Sequence, residues 1–436
     1  MSLLPDTARR VDTLVTTAQA TGRAPSLLLG VVRDGALAHL CGAGEHPRPD
    51  ADLQYRLGSI TKTMTAVLIM AERDAGRLDL ADRLEQHLPG SPVGELTLRQ
   101  LLGHASGLHR EPDGPWWERT AGHDLDTLLA GLTPAKIAYP PHHAYHYSNL
   151  AYGLLGAVLE RTRGTGWATL LRERILDPLA MTRTTYHPEE PYARGYVVHP
   201  WHDTVREEPR TDTGAMAPAG QLWSTATDLA RWASFLADPV PGVLAPATVT
   251  EMCNPVALKD LDSWTGGHGL GVELYRQGDR VYAGHGGSMP GYVAHLMVHR
   301  PTRTGVIAFA NSYGLRGTTL RGLSRTVLTD VLEAEPTPVA PWVPATAPPR
   351  PESAELTGRW WWMGIEYEVR ATGEELLAGP VGSAELRFTR EGPDRWRGHS
   401  GEQHGEILTV LRDPDGRPRA LDIGTFVFTR TPEEAP

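Results

Sequence analysis

Cysteine is almost missing from this chain: Cys41 and Cys253 are the only two in 436 residues. They could form one bridge at most, so no disulfide framework holds the protein together. Lysine is nearly as scarce. Three of the 42 basic residues are lysines (Lys62, Lys136 and Lys259) and the rest are arginines, so each lysine merits inspection. Positive charge is not in excess, because 52 acidic residues give a formal net charge of −10. The basic footprint of a phosphate-binding protein is therefore absent, and no nucleic-acid partner is expected. No apolar run approaches the ~18 residues of a membrane span, so no membrane partner is expected. The opening residues Met1-Ser2-Leu3-Leu4-Pro5-Asp6 carry no basic patch, apolar core or small-residue cleavage site. They lead to the expectation of a soluble, cytoplasmic protein. What is present is an ordinary globular mixture, 40% hydrophobic and 22% charged. The length suits two or three domains, or one large domain with an appendage.

Val11, Leu14, Val15 and Ala18 have helical spacing over about 6–20, with Asp6 as the expected N-cap. Leu27–Val32 and Ala36–Leu40 flank Asp34-Gly35 and read as a β-hairpin. Residues 59–75 are strongly helical, with Ile60, Met64, Val67, Leu68 and Ala71 on one stripe. A helix-rich block follows to about residue 240. In it, Thr225-Ala226-Thr227-Asp228 has capping-box-like spacing ahead of Leu229, Trp232, Ala233 and Leu236. From Gly267 the pattern changes to strands over 269–275, 280–283, 292–298 and 305–310, then to a helix through Leu320, Leu323, Val327, Leu328, Val331 and Leu332. The expected fold class is α+β: an antiparallel sheet flanked by helices, with an α-helical subdomain.

Residues 335–352 are rich in proline, which favours extended, semi-rigid chain and marks a linker between domains 1–334 and 353–436. The second domain carries short strand-like runs at 359–362, 365–369, 386–389, 406–412 and 425–429, and is expected to be a small antiparallel β-barrel. Trp360-Trp361-Trp362 is expected to fill it.

The sharpest chemical signal is Gly58-Ser59-Ile60-Thr61-Lys62. Ser59 and Lys62 lie three apart at a helix start and so share a face. A serine needs a nearby base to become a nucleophile at neutral pH, and an amine can serve. The helix start adds N–H groups for a developing oxyanion. Taken alone, the pair also fits a capping serine beside a solvated lysine. Two further elements change the weighing. Tyr147-Ser148-Asn149 precedes a helical run, and a tyrosine beside a lysine can relay a proton. Gly284-His285-Gly286-Gly287-Ser288 lies among the strands, where glycines permit close approach of backbone or substrate.

The order Ser-x-x-Lys, Tyr-x-Asn, His-Gly-Gly resembles the serine β-lactamase and penicillin-binding-protein superfamily, in particular its class C-like branch of esterases, D-amino-acid peptidases and penicillin-binding-protein-type thioesterases. The stretches Leu101-Leu102-Gly103-His104-Ala105-Ser106-Gly107-Leu108 and Pro218–Thr225 support the likeness, which covers nearly all of 5–334. The C-terminal segment resembles the lipocalin-like domain often attached to such hydrolases. The resemblance implies that Ser59 is acylated, that Lys62 and Tyr147 move the proton, and that Asn149 binds a substrate amide. It implies an oxyanion hole from the N–H groups of Ser59 and Ser288, with Gly286 and Gly287 beside the substrate. His285 stands where β-lactam-processing members have lysine, and Gly286 where they have threonine. A histidine is only partly charged near neutral pH, so β-lactam turnover is not expected.

The favoured function is a thioesterase that releases or macrocyclises a nonribosomal peptidyl thioester. Its partner is a peptidyl or acyl substrate, borne on a carrier protein. A cytosolic carboxylesterase or D-amino-acid peptidase is the alternative, and a non-catalytic peptide-binding protein is the alternative of another class. No cofactor and no metal are expected. His142, His143 and His146 follow Pro140-Pro141, which argues for a loop rather than a zinc-binding helix face. Trp116-Trp117 is either a patch packed on the helical block or a lid wall touching an apolar substrate.

Overall fold

The computed structural model describes residues 2–46, 49–339, 341–383 and 385–432. The chain divides into two compact units, Met1–Thr337 and Pro338–Pro436. Among the described residues, no helix is long and apolar enough to cross a membrane.

The first unit is built on an eight-stranded antiparallel sheet. Its strands are β1 (Ser26–Arg33), β2 (Ala36–Gly44), β3 (Ala257–Leu258), β4 (Gly266–His268), β5 (Glu273–Gln277), β6 (Arg280–Met289), β7 (Tyr292–His299) and β8 (Thr304–Ala310). Their spatial order is β2-β1-β8-β7-β6-β5-β4-β3. The first and last strands of the unit thus meet one strand in from the β2 edge, where β1 pairs with β8 from Leu27↔Ala310 to Arg33↔Thr304.

Alternation along the central strands explains why both faces are covered. In β8, Val306, Ala308 and Ala310 point to one core and Ile307 and Phe309 to the other. The first core is closed by helices α1 (Pro5–Gly22) and α5 (Leu320–Ala334), through Val11, Val15, Val327 and Val331. The second is closed by α2 (Thr61–Asp74), α3 (Asn149–Arg163) and α4 (Ala226–Ala237) with the helical block around them. Thr225 caps α4 by accepting the Asp228 N–H.

Three local expectations are corrected. Asp6 is not the N-cap of α1. Leu4 holds that position and Pro5 opens the helix, because its fixed φ suits a first turn. The strand expected over 269–275 is interrupted: Gly269 N–H bonds the Val272 carbonyl at 2.8 Å and Gly271 has φ +81°, so β4 ends at His268 and β5 begins at Glu273. That break determines where the Glu273 side chain stands.

The second unit is a closed antiparallel barrel of eight strands, from Gly358–Trp362 to Phe426–Thr429. The strands Glu375–Pro380, Arg395–Gly398 and Pro418–Ile423 escape the sequence pattern because they are short and end or begin with proline or charge. Trp360 alone of the three tryptophans is fully buried, and strand alternation directs Trp361 away from it. Here too the expectation is corrected: one tryptophan, not three, lies wholly inside.

Candidate active site

Ser59 sits in the 3-10 turn Gly58–Ile60 that feeds α2, so the reactive hydroxyl stands where the chain enters the helix. Lys62, one turn on, is wholly buried. Its Nζ lies 3.0 Å from Ser59 Oγ, and donates to Asn149 Oδ1 and to the Ala219 carbonyl, both at 2.6 Å. Burial pushes the Lys62 amine down to about 7, against the opposing pull of Glu111 and Glu118. A neutral amine has two N–H groups and one lone pair. Two acceptors hold the N–H groups, so the lone pair is left for Ser59.

Burial holds the Tyr147 phenol well above the usual tyrosine range, although neighbouring Ser59 pulls the other way. It therefore stays protonated and can donate. Lys62 Nζ lies 5.1 Å from the Tyr147 ring centre. Asn149 Oδ1 accepts from Lys62 while its Nδ2 donates to both oxygens of Glu111 at 2.9 and 3.0 Å, so its amide positions the lysine.

Strand β6 closes the other side. A Cβ on Gly287 would lie 1.9 Å from the Leu57 carbonyl oxygen and 3.0 Å from the Ser59 nitrogen. A Cβ on Gly58, whose φ is +55°, would lie 2.6 Å from the Ser288 nitrogen. Only glycine at both positions lets the amides of Ser59 and Ser288 come side by side. β6 pairs with β5 only as far as Gly284, so beyond it one edge of the strand is open. The Glu273 carboxylate replaces the lost neighbour by accepting the Gly286 N–H at 3.1 Å. It also accepts from Lys259 at 2.5 Å and Tyr275 at 2.6 Å, and is paired with Arg321. Burial raises this carboxyl, but His285, Lys259 and Arg321 hold it well below the ordinary range.

His285 is 2% exposed, and its Nδ1 lies 2.5 Å from the Gly286 carbonyl oxygen. That bond requires the proton on Nδ1, so Nε2 is an acceptor, and it has no protein partner. Burial pushes the ring down to about 4, although Glu273 pulls the other way. The site thus presents a neutral histidine. The His285 and Tyr147 ring centres are 6.2 Å apart and no hydrogen bond joins them.

Ser59, Tyr147, Asn149, His285, Gly286, Gly287 and Ser288 line one cleft of about 580 Å³. Lys62 lies beneath its floor. Glu118 lines the same cleft, as do Lys259, Glu273 and Arg321. Trp117 does not: it is 7% exposed, belongs to the core and donates to Glu111 at 2.7 Å, which overturns the lid-wall reading for that residue. Trp116 is half-exposed, donates to Glu118 and meets Tyr313 edge-on, one residue removed from the lining. His142, His143 and His146 lie on a loop, where the His143 ring stacks on Tyr139 and the His146 ring lies tilted against it.

Sequence reasoning missed two positioning residues. Glu273 carried no local signal, since its role arises from the break between β4 and β5. His104 lay inside the Leu101–Leu108 stretch but had no assigned role. It is wholly buried with φ +54°, its ring centre is 4.3 Å from that of Tyr147, and its Nδ1 accepts the Ser148 N–H at 3.1 Å. Its carbonyl accepts the His146 N–H at 2.9 Å. The Tyr147 segment is thus pinned from both sides. Lys259 was marked only by the rarity of lysine.

Residues 11–325 match the family model described as Beta-lactamase, and 349–430 match one described as Domain of unknown function (DUF7586). The chain is 28% identical over 272 residues to Beta-lactamase-like protein 2 of Dictyostelium discoideum, covering 59% of this chain and 49% of that protein. It is 31% identical over 200 residues to the D-alanyl-D-alanine-carboxypeptidase/endopeptidase AmpH of Escherichia coli (strain K12), covering 43% and 50%. The chain spans about half the length of these curated relatives. Among solved structures, a D-stereospecific amidohydrolase from Streptomyces sp. superposes with a TM-score of 0.63 at 26% identity, over 76% of this chain and 99% of that one. SurE superposes with a TM-score of 0.62 at 25% identity, over 98% and 99%.

Two outcomes test this geometry. Glu118 favours the charged form of Lys62, so Glu118→Gln lowers the Lys62 pKa. The acidic limb of Ser59 acylation, followed with a fluorophosphonate across pH, then moves to lower pH; an upward shift contradicts the assignment. His104→Ala leaves the buried Ser148 N–H unpaired, at about 1–3 kcal/mol, and loosens Tyr147. Its kcat falls, and His104→Asn recovers part of it, because asparagine supplies an acceptor and tolerates positive φ.

Proposed function

The chain belongs to the Beta-lactamase family, and we propose that it is a serine hydrolase and acyltransferase that works through an acyl-Ser59 intermediate. The observation that carries this reading is the 3.0 Å approach of a desolvated Lys62 amine to Ser59 Oγ. Ser59 Oγ attacks the acyl carbon while Lys62 Nζ takes its proton. The oxyanion develops against the N–H groups of Ser59 and Ser288. Tyr147 passes a proton to the departing thiol, alcohol or amine, and is itself reprotonated from Lys62. The acyl-Ser59 ester then yields to water or to an amine, whose proton leaves by the same route in reverse.

We infer a neutral peptidyl donor, with a peptidyl thioester favoured and an internal amine or water as acceptor. Neutral His285 supports this reading. It offers an acceptor atom where a substrate carboxylate would need a cation, so penicillin turnover is expected to be poor. The second reading is a D-amino-acid amidase or peptidase, and it rests on the likeness to the D-stereospecific amidohydrolase.

The donors separate the readings. Peptidyl N-acetylcysteamine thioesters and peptidyl amides, each ending in an L or a D residue, are incubated with the protein and followed by intact mass and product analysis. The favoured reading predicts an acyl adduct on Ser59 and fast turnover of the thioesters, with part of the product cyclic. Turnover confined to D-amides selects the amidase. Turnover that survives in Ser59→Ala, or the absence of any adduct in the wild type, overturns the covalent mechanism. Lys62→Ala and Tyr147→Phe should each cost a large factor in kcat. Their double mutant should fall far short of the product of the two effects, as cooperating groups do.

A further inference from the structure

Far from the cleft, three unlike donor side chains meet where α1 crosses the edge strand β2. We propose that Asp12, His39 and Cys41 form a binding site for one divalent cation of zinc-like softness.

His39 and Cys41 are two apart on β2, so strand alternation points both to the same face, towards α1. Asp12 reaches them from the helix. The carboxylate, imidazole and thiol donor atoms all lie within 4.8 Å of one another, and this is the group of three such donors that converges among the described residues. His39 Nε2 is 2.7 Å from Asp12 Oδ1. The same carboxylate also lies within 4.8 Å of the Cys41 sulfur. Cys41 is 7% exposed, and its only other polar partner is the Leu29 carbonyl at 3.6 Å.

The donor set selects the ion. One thiolate, one imidazole and one carboxylate suit zinc, cobalt or cadmium, and do not suit calcium or magnesium, which require all-oxygen shells. Binding replaces the S–H bond by a metal–sulfur bond and releases that proton to solvent. The neutral imidazole shifts its proton from Nε2 to Nδ1, so the freed Nε2 can ligate and one proton in all, that of the thiol, is released. The two anionic ligands balance a dication, so the occupied site is neutral, with water in the fourth position. Asp12 is half-exposed, which leaves an entry path from solvent. The effect would be to clip α1 to an edge strand whose outer side has no strand partner.

The test uses the full-length protein, stripped with chelator and titrated with cobalt(II). The proposal predicts saturation at one equivalent, with thiolate-to-cobalt charge-transfer absorption and the intense visible bands of tetrahedral cobalt. Zinc bleaches both. It also raises the thermal midpoint, because a ligand bound only by the folded state stabilises it. Cys41→Ser abolishes the charge-transfer band and Cys253→Ser preserves it. If Cys41→Ser does not fold, Asp12→Asn, at a half-exposed position, weakens cobalt binding at least tenfold. Acylation of Ser59 is the same with and without metal. No charge-transfer band at saturating cobalt, or a band that survives in Cys41→Ser, overturns the site.

Discussion

A lysine amine that has been removed from water and still has to hydrogen-bond is the constraint on which the candidate site depends. Lys62 is wholly buried, and an ammonium there would be costly. The helical block meets that cost with two fixed acceptors, Asn149 Oδ1 and the Ala219 carbonyl. Both come from distant parts of the chain, and both face the first turn of α2. The remaining direction points at Ser59. Asn149 is itself held by half-buried Glu111, which also accepts from Trp117, so a chain of hydrogen bonds runs from the lysine to that indole.

The sheet supplies what the helices cannot. β6 must pass the Ser59 turn at backbone distance, and Gly58 and Gly287 make that possible. It must also leave its β5 neighbour without losing hydrogen bonds. The Glu273 carboxylate bonds the Gly286 N–H at that point, and Lys259 and Arg321 balance its charge. His104, His268 and His285 lie close by, with ring centres 4.5 and 5.8 Å apart along the series. Burial holds all three below the ordinary histidine range. These rings add no permanent charge to the Tyr147 side of the cleft, where the Arg110 guanidinium, 5.7 Å from the Tyr147 ring centre, supplies a positive one.

Much of this was legible in the sequence, because it rests on local rules. Period-two and period-3.6 patterns located the longer sheet strands and the helices that cover them, but not the two short strands β3 and β4. A three-residue spacing at a helix start placed Ser59 and Lys62 on one face. The barrel was legible as a class, although three of its strands were not, since proline and charge at their ends mask the alternation. The remainder depends on contacts between residues far apart in the chain. Glu273 gains its role from a turn at Gly269–Val272 that a run of strand-forming residues conceals. The hold of Asn149 on Lys62 depends on Glu111, which its spacing does not reveal. The loop-forming neighbours of Trp117 suggest a lid, whereas its ring packs in the core and its indole N–H donates to Glu111. Asp12, His39 and Cys41 share no motif and meet only through the crossing of α1 over β2.

The central claim is that burial makes Lys62 a base near neutral pH, and the scarcity of lysine makes this directly measurable. Lysine labelled with carbon-13 at Cε gives three resonances in this chain, and Lys→Arg variants at positions 136 and 259 assign them by elimination. The account predicts that the Lys62 resonance titrates with a midpoint near 7. It predicts that the midpoint stays far below the ordinary 10.5 in Ser59→Ala, where the nucleophile is gone but the burial remains. A Lys62 midpoint at the ordinary lysine value would contradict it, because the amine would then be protonated at neutral pH and unable to take the Ser59 proton.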